Sequence, residues 1–149
     1  MVSAARMLFD TSALTKRYSA ETGHDQVLAL FSRASSLFVA AHCRAEVASA
    51  LLRRRREGIL STTDFDRTWS MACEDIADME RVNVDAHVER FAFAAMEQTP
   101  LRAADALHIG SALSARVDLF VTCDPQQAEA ARRLGLQTEY VPGNRKEIL

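Results

Sequence analysis

Residues 7–18 read MLFDTSALTKRY, and this stretch decides the fold. Its apolar start, residues 7–9, predicts a buried strand, and residues 12–18 predict a short helix directly after it. The same order recurs near the other end of the chain, where residues 119–122 predict a strand and Asp124 follows. Strands that alternate with helices in this way predict an α/β fold, in which a parallel sheet carries helices on both faces.

The rest of the chain continues this alternation and predicts a single domain, residues 1–149. Further strands are predicted at residues 37–39, 82–84 and 137–141, and helices at residues 25–34, 42–57, 85–97, 100–115 and 125–134. One more helix is predicted after Ser61 or Thr62, either of which is a good N-cap. No Gly-, Ser- or Pro-rich linker divides the sequence, and 149 residues suffice to bury a core.

The composition is that of an ordinary globular protein, with 48% hydrophobic and 26% charged residues. No apolar run approaches the length of a membrane span, and the N-terminus lacks the apolar block of a signal peptide. The three cysteines are an odd number without a CxxC pair, which favours reduced thiols over a disulfide framework or a zinc site. We therefore expect a cytoplasmic protein that does not enter a membrane.

Four acids are set against apolar sequence: Asp10, Glu46, Asp105 and Asp124. Asp10 and Asp124 follow predicted strands, and ligands of parallel sheets sit outside the carboxyl ends of the strands. The two helical acids could reach the same place, where converging carboxylates would repel one another unless a hard divalent cation neutralised them. Because no paired His or Cys accompanies them, these oxygens favour Mg²⁺ or Mn²⁺ over zinc. Such ions can activate water and stabilise charge on a phosphodiester.

Each acid also has a structural alternative. Asp10 and Asp124 precede predicted helices and are good N-caps, and Glu46 could lie on a solvated helix face. Asp105 lies in a helix that is apolar nearly all round, so we expect it to be drawn out of water at a cost in free energy. Its structural partner would be Arg102 at i−3. The four alternatives together require four separate coincidences, which favours the metal site.

Four segments resemble the acidic motifs of PIN-domain ribonucleases, and most closely those of the VapC toxins of bacterial toxin–antitoxin pairs. They are residues 9–14, 45–51, 104–108 and 121–124, which read FDTSAL, AEVASAL, ADALH and VTCD. The resemblance implies a three-layer PIN-like fold with sheet order 3-2-1-4-5. It also implies metal-dependent RNA hydrolysis that leaves a 5′-phosphate and a 3′-hydroxyl, a cognate antitoxin that inserts an Arg or Lys among the carboxylates, and a homodimer.

The resemblance also gives the acids their roles in a Mg²⁺ or Mn²⁺ site. Metal ligands, direct or through water, are assigned to three aspartates: Asp10, Asp105 and Asp124. Glu46 would complete the shell or orient the attacking water. The hydroxyls of Ser12 and Thr122 are assigned to a metal-bound water or to a phosphate. His108, one turn beyond Asp105, could bond to a carboxylate or be a satisfied core histidine, and the sequence leaves both open.

The other polar and apolar patterns are explained by structural roles. His42 is expected at the surface or in packing, like the remaining histidines. The apolar stripe within residues 65–76 predicts core or interface. The arginines of residues 53–56 end a helix, where the dipole favours cations, although one or two could contact RNA or a partner. Neutralising the four acids would change the net charge from −2 to +2, which leaves a weakly basic rim for a phosphate backbone.

Two rival functions remain at this point. One is a PIN-like module that binds RNA or a protein without catalysis. The other is a haloacid-dehalogenase-type phosphatase, which also starts from an Asp at a strand end. Those enzymes carry Asp-x-Asp at the nucleophile, whereas here Asp10 is followed by Thr11 and Ser12.

Overall fold

The sheet confirms the predicted topology. A computed structural model describes residues 4–143. Five strands form the sheet: β1 (Ala5–Phe9), β2 (Ala34–Ala40), β3 (Glu80–Val82), β4 (Leu119–Thr122) and β5 (Thr138–Tyr140). All neighbouring pairs are parallel, and the order is β3-β2-β1-β4-β5. Because Phe9 lies opposite Val121, the residues that follow β1 and β4 meet at one edge of the sheet.

Seven α-helices lie within the described residues. They are α1 (Thr11–Leu14), α2 (His24–Arg33), α3 (Cys43–Arg56), α4 (Thr62–Ala77), α5 (Ala86–Gln98), α6 (Ala103–Ser114) and α7 (Pro125–Arg133), and a 3-10 turn, Thr15–Tyr18, extends α1. Ser61 caps α4, as the sequence predicts, and Asp85 caps α5, and each side chain accepts a backbone N–H three residues on. None of these helices is both long and apolar enough to span a membrane.

The central strand β1 places alternate side chains on two cores. Met7 and Phe9 are buried on one face, in the cluster that also holds residues of α2, α3 and α4. Leu8 is buried on the other face, with residues of α5, α6 and α7. This alternation follows from the two-residue period of a strand, and it produces the predicted three layers.

The packing of α6 against α5 is close enough to require a glycine. A Cβ on Gly110 would lie 2.5 Å from the carbonyl oxygen of Val88, so any other residue would force the helices apart. Since α6 also carries Asp105 and His108, this contact fixes the height of both side chains relative to the sheet.

Several element boundaries differ from the sequence predictions. Helix α6 begins at Ala103 rather than at residue 100, because Arg102 is extended and is the N-cap of the helix. Strand β2 begins at Ala34, directly after α2. Its first three residues, Ala34, Ser35 and Ser36, are small and lack the apolar pattern of a strand, so the sequence did not indicate them. Strand β3 ends at Val82, two residues early, because it is an edge strand whose partners in β2 run out at Ala40.

Candidate active site

Asp10 is a buried carboxylate held by neutral donors. Its backbone N–H still belongs to the sheet and donates to the Val121 carbonyl at 3.0 Å. Its side chain caps α1 by accepting the Ala13 N–H at 2.9 Å. The Ser12 hydroxyl lies 2.7 Å from Oδ1, and the Thr122 hydroxyl donates to Oδ2 at 2.6 Å. The residue is only 1% exposed.

Burial sets the ionisation of Asp10. It raises the pKa of this carboxyl above its ordinary value, although the charge of His108 and the hydrogen bonds from Thr122, Ala13 and Ser12 act in the opposite direction. A group that is fixed in position but short of positive charge is suited to receive a cation.

Two hydroxyls tie Asp10 to the end of β4. Thr122 Oγ1, which donates to Asp10, also accepts the Asp124 N–H at 3.0 Å. Ser12 Oγ likewise accepts the Cys123 N–H at 3.0 Å. The sequence assigned both hydroxyls to a metal-bound water or a phosphate, and in the structure they orient Asp10. They are therefore positioning groups first.

Asp124 caps α7 in the manner of its structural alternative. Its Oδ1 accepts the Gln126 N–H at 2.9 Å, and the Gln127 N–H lies 3.5 Å away. The second oxygen has only the Gln127 side-chain amide, also at 3.5 Å. The side chain is half-buried. Capping therefore occupies Oδ1 and leaves Oδ2 with one long hydrogen bond.

Glu46 is compensated differently, by imidazoles. Its Oε1 accepts the Thr11 hydroxyl at 2.7 Å and lies 2.6 Å from Nε2 of His108 and 3.4 Å from Nε2 of His42. Partial burial alone would raise the pKa of Glu46, but the hydrogen bond and charge of His108 outweigh burial, with help from Thr11 and His42. The pKa therefore lies below its ordinary value.

The two histidines stack on each other beside Glu46. Their ring centroids are 4.3 Å apart at an angle of 41°. His108 is 1% exposed, so it is both a core histidine and a carboxylate partner, the two possibilities that the sequence left open. His42 was expected in packing or at the surface, and the structure instead brings it into this cluster. Its position four residues before Glu46 on one helix was the signal that could have found it.

Asp105 has the arginine partner of its structural alternative. Arg102 Nε lies 3.5 Å from Oδ2, but the Arg102 side chain is 86% exposed, whereas that of Asp105 is 17% exposed. A pair with so exposed a cation contributes at most about 1 kcal/mol. Asp105 adjoins the Glu46 group through its neighbour Ala104, whose carbonyl lies 2.8 Å from Nε2 of His42.

Asp10 and Asp124 follow the neighbouring strands β1 and β4, and Glu46 accepts a hydrogen bond from Thr11, which follows Asp10. Within residues 4–143, the trio of metal-ligating side chains whose ligand atoms lie within 4.8 Å of one another is His42, Glu46 and His108, not three carboxylates. Hydrogen bonds nevertheless connect the motifs, from Asp124 through Thr122 to Asp10, and from Thr11 to Glu46. Joint metal binding by the four acids stays a prediction.

Part of the basic run at the end of α3 is engaged within the chain. Arg54 donates to both carboxylate oxygens of Glu21, at 2.7 and 3.1 Å. The guanidinium of Arg55 lies over the ring of Phe65, 4.5 Å from its centroid. These two arginines therefore make contacts within the fold rather than simply ending a solvated helix.

Similar structures share this fold at low sequence identity. VapBC-5 from Mycobacterium tuberculosis is 22% identical, with 93% of this chain and 98% of that chain covered at a TM-score of 0.58. FitAcB from Neisseria gonorrhoeae is 14% identical, with 89% and 95% covered at 0.65. VapC20 from M. tuberculosis, a toxin that cleaves the sarcin-ricin loop, is 13% identical, with 83% and 94% covered at 0.61.

Identities this low show the fold alone. The search of curated proteins gave no match. A family model gives the assignment: the model described as "PIN domain" matches residues 7–133, which is most of the chain. On that match, the chain belongs to the PIN domain family.

Proposed function

We propose that this chain is a Mg²⁺- or Mn²⁺-dependent endoribonuclease, with Asp10, Glu46, Asp105 and Asp124 as its acids. The observation that carries the proposal is Asp10, which is 1% exposed and accepts hydrogen bonds from neutral donors. A buried carboxylate is costly unless it is paired or binds a metal. The PIN family match supports a nuclease, and the oxygen ligands at the carboxyl edge fit a hard divalent cation.

The residues divide the work between binding and orientation. Asp10, Asp105 and Asp124 would hold the ion, directly or through water. Bound Mg²⁺ or Mn²⁺ would lower the pKa of a bound water and neutralise charge on the phosphodiester. Glu46 would complete the shell or accept a hydrogen bond from the attacking water. Its depressed pKa suits that role because it stays ionised at neutral pH.

The rival enzyme class is less compatible with Asp10. Enzymes of that class carry Asp-x-Asp at the nucleophile, whereas here Ser12 stands at the second position and its hydroxyl lies 2.7 Å from Asp10 Oδ1. A PIN module that only binds RNA or protein is the remaining alternative, and it differs from the proposal in a cleavage assay.

The proposed biological role is that of the toxin in a cytoplasmic toxin–antitoxin pair. The similarity to VapBC and FitAcB structures supports it, as do the sequence motifs. The antitoxin would place an Arg or Lys against the acidic edge, where a guanidinium can bond to a carboxylate in a bidentate manner. Loss of inhibition by an antitoxin that lacks its basic residues would support this contact, and undiminished inhibition would contradict it.

The proposed homodimer needs an apolar surface outside the core. Phe65 is buried and Trp69 and Ile76 pack against the core, so the stripe within residues 65–76 serves the fold. Phe93 on α5 and Ile59 after α3 are the most exposed large apolar residues of the described chain, at 63% and 68%. Sedimentation of the wild type and of Phe93→Ser would test whether α5 contributes to a dimer.

The decisive test of the proposed chemistry is RNA cleavage with and without chelator. Wild-type cleavage should disappear in chelator and return with Mg²⁺ or Mn²⁺, and the products should carry 5′-phosphates. Asp124→Asn should lower the rate on the order of 100-fold or more, because Asn can still cap α7 but supplies no charge. Asp66→Asn, an exposed acid on α4, is the matched control. Chelator-resistant cleavage, or a wild-type rate in Asp124→Asn, would contradict the proposal.

A further inference from the structure

We propose that His42, Glu46 and His108 form a second cation site, which takes a transition-metal ion of the Zn²⁺ or Co²⁺ type. The nuclease proposal assigns only oxygen ligands, whereas this site is distinguished by two ring nitrogens. It lies beside the acidic edge and shares Glu46 with it.

The geometry already points the ligands at one place. Nε2 of His108 and Nε2 of His42 lie 2.6 and 3.4 Å from the same oxygen, Oε1 of Glu46. One candidate ligand atom from each of the three residues falls within a 4.8 Å span, a spacing that small rotations can close around an ion. The ligands come from α3 and α6, and Thr11 holds the carboxylate from a third segment through a 2.7 Å hydrogen bond.

The donor set selects the kind of ion. Imidazole nitrogen suits Zn²⁺, Co²⁺ and Ni²⁺, whereas Mg²⁺ strongly prefers oxygen. Two histidines and one carboxylate with remaining positions open are a ligand set known from exchangeable zinc sites. Neutral imidazole is the form that binds a metal.

The protons can be accounted for. Nε2 of His42 faces the Ala104 carbonyl at 2.8 Å, which only accepts, so this nitrogen carries a hydrogen in the metal-free protein. A second hydrogen lies between Nε2 of His108 and Glu46. An ion bound through these nitrogens takes the place of both hydrogens. Each ring that stays neutral then carries its single hydrogen on Nδ1.

Access to the rings favours a ligand role. His108 closes the site from the protein interior at 1% exposure, while the side chains of His42 and Glu46 are 22% and 29% exposed and leave a path for an ion.

Sharing Glu46 gives the site a consequence for activity, and this step rests on the proposed function. An ion held by the imidazoles withdraws Glu46 from the Mg²⁺ site. Zn²⁺ should therefore inhibit Mg²⁺-dependent cleavage, and it should inhibit His42→Gln less strongly than wild type.

The direct test is binding of Co²⁺ to the full chain after removal of metals with chelator. Titration followed by visible absorption and by calorimetry should give one nitrogen-ligated Co²⁺ per chain. His42→Gln should weaken binding by more than about 100-fold, since loss of a ligand should exceed the roughly 10- to 100-fold effect of losing a supporting partner. His87→Gln, an exposed histidine on α5, is the matched control and should bind Co²⁺ like wild type.

Further variants separate the two sites. Asp124→Asn should keep Co²⁺ binding while losing cleavage. Binding that is lost in Asp124→Asn but kept in His42→Gln would overturn the inference, because the ion would then sit among the aspartates. If His42→Gln does not fold, the NMR spectrum of Co²⁺-loaded wild type replaces that comparison. Paramagnetically shifted imidazole signals would support the site, and their absence would overturn it. His42-dependent Co²⁺ binding in a chain that cleaves no RNA would uphold this site and refute the proposed function.

Discussion

Asp10 and Glu46 lie at the same edge of the sheet, yet they are compensated in opposite ways. Asp10 ends a central strand, is almost fully buried and is held by neutral donors, so its pKa is raised. Glu46 lies on α3 with its side chain partly exposed and is paired with the imidazole of His108, so its pKa is lowered. A strand end gives a carboxylate a fixed position, and a helix face gives it room for a charged partner. The difference indicates that Asp10 is the acid that most needs a cation.

The largest expected effect is on catalysis, where both acids should prove necessary despite their different environments. Asp10→Asn should lower the rate of Mg²⁺-dependent cleavage on the order of 100- to 1000-fold, as for loss of a directly placed charged group. Glu46→Gln should lower it by the same factor or slightly less, since Gln can still hold a water. Single-turnover rates with circular dichroism as a folding control would measure both. A wild-type rate in Asp10→Asn would remove that residue from the site.

A second effect concerns the hydroxyls that hold each acid. Thr122→Val removes a buried hydrogen bond to Asp10 and leaves the partly buried Asp124 N–H without its acceptor. We expect a loss of about 1–3 kcal/mol in the free energy of unfolding. Thr11→Val should lose about 1 kcal/mol or less, because Glu46 keeps His108. Urea unfolding in chelator would rank them, and an equal loss in the two variants would erase the contrast.

The two acids should also have opposite effects on stability as pH changes. Glu46 has a pKa below its ordinary 4.5, so its contribution is present above that value and is lost as pH falls through the folded-state pKa. Asp10 has a pKa above its ordinary 3.8, so the unfolded chain ionises first and stability falls as pH rises from 3.8 through the folded-state pKa.

The variants make this visible. In chelator, Glu46→Gln should flatten the loss of stability on the acid side, and Asp10→Asn should remove the decline on the neutral side. Unfolding free energies measured between about pH 3.5 and 7 would show both signs. Parallel curves for Asp10→Asn and wild type over that range would contradict the burial argument.

The strand-end half of this comparison could be predicted from the sequence, and the helical half only in part. An acid directly after a short apolar run is expected at the carboxyl end of a strand. The resemblance to PIN domains implied the sheet order, which sets the strands before Asp10 and Asp124 side by side. The meeting of His42 with His108 depends on how α3 and α6 approach each other, which no local pattern encodes. Asp105 was expected to be drawn out of water because its helix is apolar, yet Asp10 is the more deeply buried acid. Helix composition does not reveal which side of the first turn faces solvent.

The most direct test of the account is a pair of melting curves for wild type and Asp10→Asn, in chelator and with Mg²⁺. The claim is that Asp10 is a destabilised carboxylate that a cation completes. In chelator, Asp10→Asn should melt at a higher temperature than wild type, and its free energy of unfolding should be higher by an amount on the order of 1 kcal/mol. Mg²⁺ should raise the melting temperature of wild type by mass action and that of the variant much less, which narrows or reverses the gap. An Asp10→Asn protein that melts below wild type in chelator, or that gains as much from Mg²⁺, would contradict the claim.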